Sequence, residues 1–454
     1  MFRRLLIANR GEVAVRVARA CRELGISPVG VASAADANAS WLGAFDQVVS
    51  LGGRTPQESY LRLEAVVQAG VQTGCSAVHP GWGFLAENPR FAALCAQHGL
   101  TFVGPRPGIM ERMALKWPAK RTMRDFGLEG IPGSDGLLQD PAEALKVAER
   151  VGYPSLLKAD SGGGGRGMRR VDGPGDVEAA FAAASNEASA AFGDGSLYLE
   201  RFLVGGRHVE VQLLADQYGH AIHLGERECS IQRNHQKLIE ESPSPALEAS
   251  ERERIGNTVA NAAAGIGYTG AGTVEFLLHP DDGHLYFMEM NTRLQVEHPV
   301  TEMVTGIDIV QAQLRVAAGQ PLGIAQADVA MRGHAIECRI NAEDPSQNFR
   351  PSPGLLSALD IPADEGPGTV RIDTHLSAGD EISPYYDSLL AKVIVHADNR
   401  ADAILTMQRT LSAARIEGPA TTLPLHLAVL ASDAFQAGTY DTTSIPGWRS
   451  AGAR

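Results

Sequence analysis

From Leu285 to Glu297 polar and apolar residues alternate. Glu289, Asn291, Arg293, Gln295 and Glu297 share one parity, and Met288, Met290, Leu294 and Val296 share the other. An extended segment sends successive side chains to opposite faces. The spacing therefore predicts a strand with one face packed in a core and the other carrying carboxylates, amides and a guanidinium. An ordinary half-exposed strand has the same period, but its solvated face usually carries Thr, Lys and Ser rather than this ordered series. A second strand-like run, 272–278, lies upstream across the turn-rich His279-Pro280-Asp281-Asp282-Gly283. A hairpin would set Glu275 beside Glu289, and two carboxylates that close repel unless a cation lies between them.

The same reading divides the rest of the chain. Residues 5–8 and 29–32 read as buried strands around a helix over 12–24, the βαβ unit of a doubly wound sheet. The turn Asn9-Arg10-Gly11-Glu12 is not GxGxxG, which excludes a dinucleotide-dependent dehydrogenase. His79, Trp82 and Glu87 follow a strand end and either line a site or form a structural turn. Residues 109–150 are helix-rich, with Lys116 on the first helix, and Pro132-Gly133-Ser134-Asp135-Gly136 is a hinge into a small subdomain. A short strand over 153–159 carries Lys158 and runs into Gly162-Gly163-Gly164-Gly165-Arg166. Further on come a helix over 177–191, a strand over 197–203 and a run over 207–213 that puts His208, Glu210 and Gln212 on one side. The polar stretch 226–237 sits between apolar segments and is expected to cross the same cavity. A helix over 298–318, a third unit from Arg332 and a closing helix over 401–416 complete the chain. The expected domains are 1–114, 115–330 with a lid at about 132–203, and 331–446, in keeping with 454 residues at about 150 per domain.

Composition narrows the choice. No apolar run is long enough to span a bilayer, and the basic-then-apolar amino terminus lacks the long apolar region and cleavage site of a signal peptide. The five cysteines are odd in number and widely spaced, and no pair has metal-ligand spacing. A reducing cytoplasm is expected. A formal net charge of −13 without a basic cluster excludes a nucleic-acid surface. Only six of the 40 basic residues are lysine: Lys116, Lys120, Lys146, Lys158, Lys237 and Lys392. With arginine so dominant, the remaining lysines point to places where a compact ammonium matters.

These parts suit an ATP-driven carboxylate or bicarbonate activator. Phosphoryl transfer needs its phosphates held, their charge neutralised and the nucleophile aligned. Lys116, Lys158 and the glycine loop suit the phosphates, since consecutive glycines leave backbone N–H groups free to wrap oxygen atoms. Glu275, Glu289 and Asn291 offer the oxygen ligands that Mg²⁺ or Mn²⁺ takes. Lys237 and Arg293 beside Gln295 suit a small planar oxyanion. Glu297 would repel that anion unless it acts as a base.

The runs Arg233-Asn234-His235-Gln236-Lys237, Glu289-Met290-Asn291-Thr292-Arg293-Leu294-Gln295-Val296-Glu297-His298-Pro299-Val300-Thr301-Glu302 and Arg339-Ile340-Asn341-Ala342-Glu343-Asp344, with Lys158-Ala159 and the glycine loop, resemble biotin carboxylase. The resemblance extends over essentially the whole chain. It implies an α/β, ATP-grasp fold (α+β overall), with an N-terminal doubly wound parallel-sheet domain, a glycine-rich lid and a C-terminal mixed domain. It also implies three chemical steps: ATP phosphorylates bicarbonate, the carboxyphosphate breaks down to CO₂ and phosphate, and the deprotonated biotin ureido nitrogen captures the CO₂. Carried over by position, Lys116, Lys158, Gly164, Gly165, Glu200, Arg201, Phe202, Leu203, His208, Gln232 and His235 would contact ATP, joined by Glu275 and Glu289. Glu275, Glu289 and Asn291 would hold Mg²⁺ or Mn²⁺. Lys237, Arg293, Gln295 and Val296 would hold bicarbonate, Glu297 would deprotonate it, and Arg339 would stabilise the biotin enolate.

The resemblance is not uniform. Many relatives have Gly-Asp-Lys in place of Ala114-Leu115-Lys116, Tyr in place of Trp82, and small residues in place of Asp160 and Ser161. A carboxylate at Asp160 is expected to lie near the phosphates and to weaken ATP binding or slow lid closure. No Ala-Met-Lys-Met biotin-attachment motif occurs, so biotin is expected on a separate carrier protein. Carboxyltransferase subunits, a homodimer, no nucleic acid and no membrane complete the expected partners, with acetyl-CoA carboxylase and fatty acid synthesis the simplest setting. An ATP-grasp ligase with an amine acceptor and a non-catalytic nucleotide-binding subunit are the alternatives.

Overall fold

The computed structural model describes residues 1–161, 167–363 and 366–445. The chain opens with a parallel five-stranded sheet in the order Gln47–Gly52, Ser27–Ser33, Arg4–Ile7, Ala77–His79, Thr101–Phe102. Leu5, Leu6 and Ile7 are fully buried, as expected of a central parallel strand covered on both faces. The first two strands and the helix Gly11–Glu23 lie within two residues of their predicted places.

A small antiparallel sheet follows, in the order Met168–Val171, Ser155–Ala159, Leu197–Arg201, packed with the helices Pro141–Val151 and Val177–Phe192. Ala144, Leu157, Val171, Ala184 and Leu199 give it a core of its own.

The largest element is an antiparallel sheet of eight strands: Leu285–Asn291, Gly270–Leu278, Arg207–Ala215, Ala221–Arg233, Gln236–Ser242, His334–Asn341, Leu389–Ala397 and Thr369–Thr374. The strand His334–Asn341, which opens the third unit of the sequence reading, bonds directly to Gln236–Ser242. One sheet therefore joins the middle and last parts of the chain.

Four expectations need correction. The alternation over 285–297 is only half strand: the strand ends at Asn291, and Glu297 is the N-cap residue of the helix His298–Thr305. Lys116 begins the second helix of its region, Lys116–Arg124, rather than lying on the first, Pro107–Ala114. The helix expected over 298–318 is two helices. Gly306 ends the first with φ +72°, a left-handed conformation that glycine adopts without a Cβ penalty, and Asp308 caps the second through the Gln311 N–H. The helix Arg400–Ala413 does not close the chain, because a strand and two further helices follow it.

Candidate active site

The Glu289 strand and the Glu275 strand pair as the alternation implied, with Glu275 directly opposite Glu289. On its other side Glu275 faces Glu210. Three carboxylates thus lie in a row across three strands, two of them fully or nearly fully buried. Such a row is stable only with positive charge beside it. Lys237 supplies it: its Nζ donates to Glu210 Oε2 at 2.5 Å, Glu275 Oε1 at 2.9 Å and Glu297 Oε1 at 2.6 Å. Lys237 reaches this position because Asn234 and His235, both with positive φ, form a two-residue hairpin turn that pairs Gln232 with Lys237.

The electrostatics follow from this crowding. Burial opposes the charge on Lys237, but Glu210, Glu275 and Glu297 overcome it and raise its pKa well above the usual lysine range. Burial works against Glu297 in the same way, and Lys237, Arg339 and Arg227 hold it far below the carboxylate range. Glu297 is therefore ionised, as a base must be. Arg339 donates from Nη2 to Glu297 Oε2 at 2.8 Å and also pairs with Glu240.

Next to this cluster lies the arginine centre. Arg293 is fixed by Nε to Glu87 Oε2 at 2.7 Å, by Nη2 to Asn291 Oδ1 at 2.8 Å and by Nη1 to Gln295 Oε1 at 2.9 Å. The amide nitrogens of Asn291 and Gln295 are buried donors without a partner among the described residues. The Val296 carbonyl accepts from Lys392 Nζ at 3.0 Å. The residues that the alternation grouped do converge, but the loop after Asn291 brings them together rather than a strand face.

At the other end of the row, Lys116 Nζ donates to Glu289 Oε2 at 2.7 Å. Lys116 is the main reason that Glu289 is held below its ordinary pKa. Lys158 pairs with Glu200 at 2.7 Å, and Lys120 pairs with the same carboxylate. His208 Nε2 lies 3.3 Å from Glu275 Oε2. Arg201, Phe202 and Leu203 end the small sheet, anchored by the Arg201 N–H to the Pro132 carbonyl and the Phe202 N–H to the Pro154 carbonyl. Gln232 is buried and His235 is exposed at its turn. Gly164 and Gly165 lie outside the described residues.

Glu275, Glu289 and Asn291 fit a hard divalent cation. Their donors are oxygens, the two carboxylates face each other, and Asn291 Oδ1 keeps a lone pair beyond its bond from Arg293. Two other groupings, His208 with Glu210 and Glu275, and Glu210 with Cys229 and Glu297, also bring ligand atoms within 4.8 Å. They bring a nitrogen or a sulfur, donors that a hard cation takes less readily than oxygen.

Sequence reasoning left several members of the site without a role. Glu210 was on the right face. Glu87 stood among residues read as either site or turn, and it now proves to hold Arg293. Arg227 is fully buried and bonds Glu210, Gln212, Thr273 and Thr301. Glu240, Lys120 and Lys392 were equally unassigned. For Arg227, Glu240 and Lys392 the one available signal was a charged residue inside a strand-like run, which marks burial but not its partner. The Asp160 carboxylate accepts from the Trp117 N–H at 2.7 Å, at the start of the helix that bears Lys116.

A grasp of two α/β layers on a carboxylate row flanked by lysines defines an ATP-grasp, ATP-dependent ligase. Family profiles described as "Biotin carboxylase, N-terminal domain", "Carbamoyl-phosphate synthase L chain, ATP binding domain" and "Biotin carboxylase C-terminal domain" match residues 1–110, 116–325 and 337–446. A biotin carboxylase of Nostoc sp. is 49% identical over 444 residues, 98% of this chain and 98% of its own. The crystal structure of a Campylobacter jejuni biotin carboxylase with a β,γ-ATP ligand superposes with TM-score 0.94 at 44% identity, covering 98% of each chain. The biotin carboxylase domain dimer of Hydrogenobacter thermophilus 2-oxoglutarate carboxylase, in complex with MgADP, ADP and bicarbonate, gives 0.93 at 46% identity over 97% of this chain and 96% of that one. The chain belongs to the biotin carboxylase family.

Proposed function

We propose that this chain carboxylates biotin presented on a separate carrier protein, using ATP and bicarbonate. The observation that carries the reading is the Lys237 ammonium, shared by Glu275 at the nucleotide end and Glu297 at the base end. It joins the two half-sites within one side chain's reach. In the reaction Glu297 takes the bicarbonate proton. The resulting carbonate oxygen attacks the γ-phosphorus, ADP leaves, and carboxyphosphate forms. Lys116 and Lys158 neutralise phosphate charge, with Glu200 to Leu203, His208, Gln232 and His235 around the nucleotide. A Mg²⁺ held by Glu275, Glu289 and Asn291 would neutralise charge on the phosphate oxygens. Arg293, Lys237, Gln295 and the Val296 backbone hold the carbonate. Carboxyphosphate then releases CO₂ and phosphate, the released phosphate takes the ureido N–H proton, and the deprotonated nitrogen attacks the CO₂ while Arg339 offsets charge on the ureido oxygen.

An acyl-CoA carboxylase is the setting we favour, with acetyl-CoA the simplest acceptor, in the cytoplasm and as a homodimer. The domain limits proposed are 1–114, 115–330 and 331–446. Among the described residues no helix is long and apolar enough to cross a membrane. The test is ADP release with bicarbonate, with and without free biotin. Biotin-stimulated, bicarbonate-dependent release is expected. Release that ignores biotin but responds to ammonia would instead mark an amine ligase, and tight ATP binding without turnover a regulatory subunit.

A further inference from the structure

Lys116 is the first residue of the helix Lys116–Arg124, so its position depends on how that helix starts. The N-cap residue is Leu115. Its backbone is extended, with φ −91° and ψ 128°, as N-cap residues are, but its side chain has no acceptor and is 37% exposed. A helix start leaves its first N–H groups without intrahelical partners, and a capping side chain normally accepts from the second or third. Here the acceptor comes from 43 residues away. Asp160 Oδ1 accepts from the Trp117 N–H at 2.7 Å, and the Asp160 carbonyl accepts from the Lys116 N–H at 3.2 Å. Asp160 is itself 3% exposed and is held by its own N–H, which donates to the Ser196 carbonyl at 3.0 Å.

Those three bonds connect the three pieces of chain that carry the nucleotide-end charges. Asp160 directly follows the strand Ser155–Ala159, which bears Lys158. Ser196 directly precedes the strand Leu197–Arg201, which bears Glu200. The helix bears Lys116. The negative carboxylate also suits the positive end of a helix dipole.

We propose that Asp160 is a positioning residue for ATP: it supplies from outside the cap that Leu115 cannot give, and so sets Lys116 relative to Lys158. This inference rests on the reading of Lys116 and Lys158 as phosphate lysines. Asp160 touches no substrate in this role and acts through the backbone of the lysine helix.

The experiment measures KM for ATP and kcat by ADP release at saturating bicarbonate and biotin, with melting temperature in parallel. Asp160→Ala is expected to raise KM for ATP roughly fivefold, the size of one lost cap, with kcat changed less than about twofold. Asp160→Asn keeps an oxygen acceptor and is expected to stay within about twofold of wild type in KM. Asp160→Ala with Leu115→Asp returns an acceptor to the N-cap and is expected to restore KM. An unchanged KM in Asp160→Ala, whatever its melting temperature, overturns the proposal. So does an Asp160→Asn variant as impaired as Asp160→Ala, or a double variant without rescue. A wild-type chain that fails to bind ATP overturns the nucleotide-site reading itself and is thereby told apart.

Discussion

Arg293 shows what a single residue depends on here. Its Nε is fixed by Glu87, more than 200 positions earlier, and Glu87 also accepts from the Thr292 N–H at 3.0 Å. Glu87→Gln keeps the size but weakens a charge-assisted bond, so KM for bicarbonate is expected to rise about tenfold with little change in KM for ATP. Steady-state titration of each substrate checks this. Glu297→Gln removes the base and is expected to lower biotin carboxylation by about 10²- to 10⁴-fold, the usual value of a positioned base. Biotin-dependent ADP release measures it, and a loss under about tenfold would take the base role from Glu297. Glu289, Asn291, Arg293, Gln295 and Glu297 were legible as a set because they are close in sequence. Glu87, Glu240 and Arg227 were not, because each is placed by a strand or turn remote from its partner.

Among the elements, the hairpin Ala221–Arg233 and Gln236–Ser242 does most to assemble the site, because it brings Lys237 onto the carboxylate row. Its turn holds His235 at φ +64°, a conformation that costs a non-glycine residue about 1 kcal/mol or more. His235→Gly is expected to leave the melting temperature unchanged or raise it, since glycine adopts this conformation freely. The same change is expected to raise KM for ATP about threefold, on the scale of one lost hydrogen bond. A stable variant with unaltered KM would leave His235 a turn residue only. Element-level reading succeeded for the parallel strands and for the Glu275–Glu289 hairpin, where apolar periodicity is strong. It failed at Asn291, where an alternating sequence continues but the backbone does not. Period two describes side-chain parity, and a loop whose polar groups find tertiary partners keeps that parity without ladder bonds.

Over the whole molecule, buried ion pairs tie distant parts together. Lys392, fully buried, reaches Glu12 Oε1 at 3.0 Å and the Val296 carbonyl, linking the first helix, the site loop and the last sheet strands. Lys392→Met leaves Glu12 buried without its cation and is expected to destabilise the fold by about 3–5 kcal/mol. Adding Glu12→Gln is expected to recover most of this in chemical denaturation. Glu241, also fully buried, faces desolvation that would raise its pKa, yet His334 and Arg400 hold it at about 2. Its folded value lies below the ordinary 4.5, so its contribution is full above about pH 4.5 and disappears as pH falls towards 2. The stability gap between wild type and Glu241→Gln is therefore expected to be constant near neutrality, to narrow below about pH 4.5 and to close towards pH 2, as denaturation at stepped pH would show.

By itself the sequence determined the classes of element, the glycine loop, the set of acidic and basic groups and the family, because local spacing and residue chemistry carry that information. The tertiary structure alone decided which charges meet: Lys237 on Glu210, Glu275 and Glu297, Glu87 on Arg293, and Asp160 on the helix of Lys116. The physical reason is that a buried charge takes its partner from whatever the packing of remote strands brings within about 3 Å, and no local period encodes that distance.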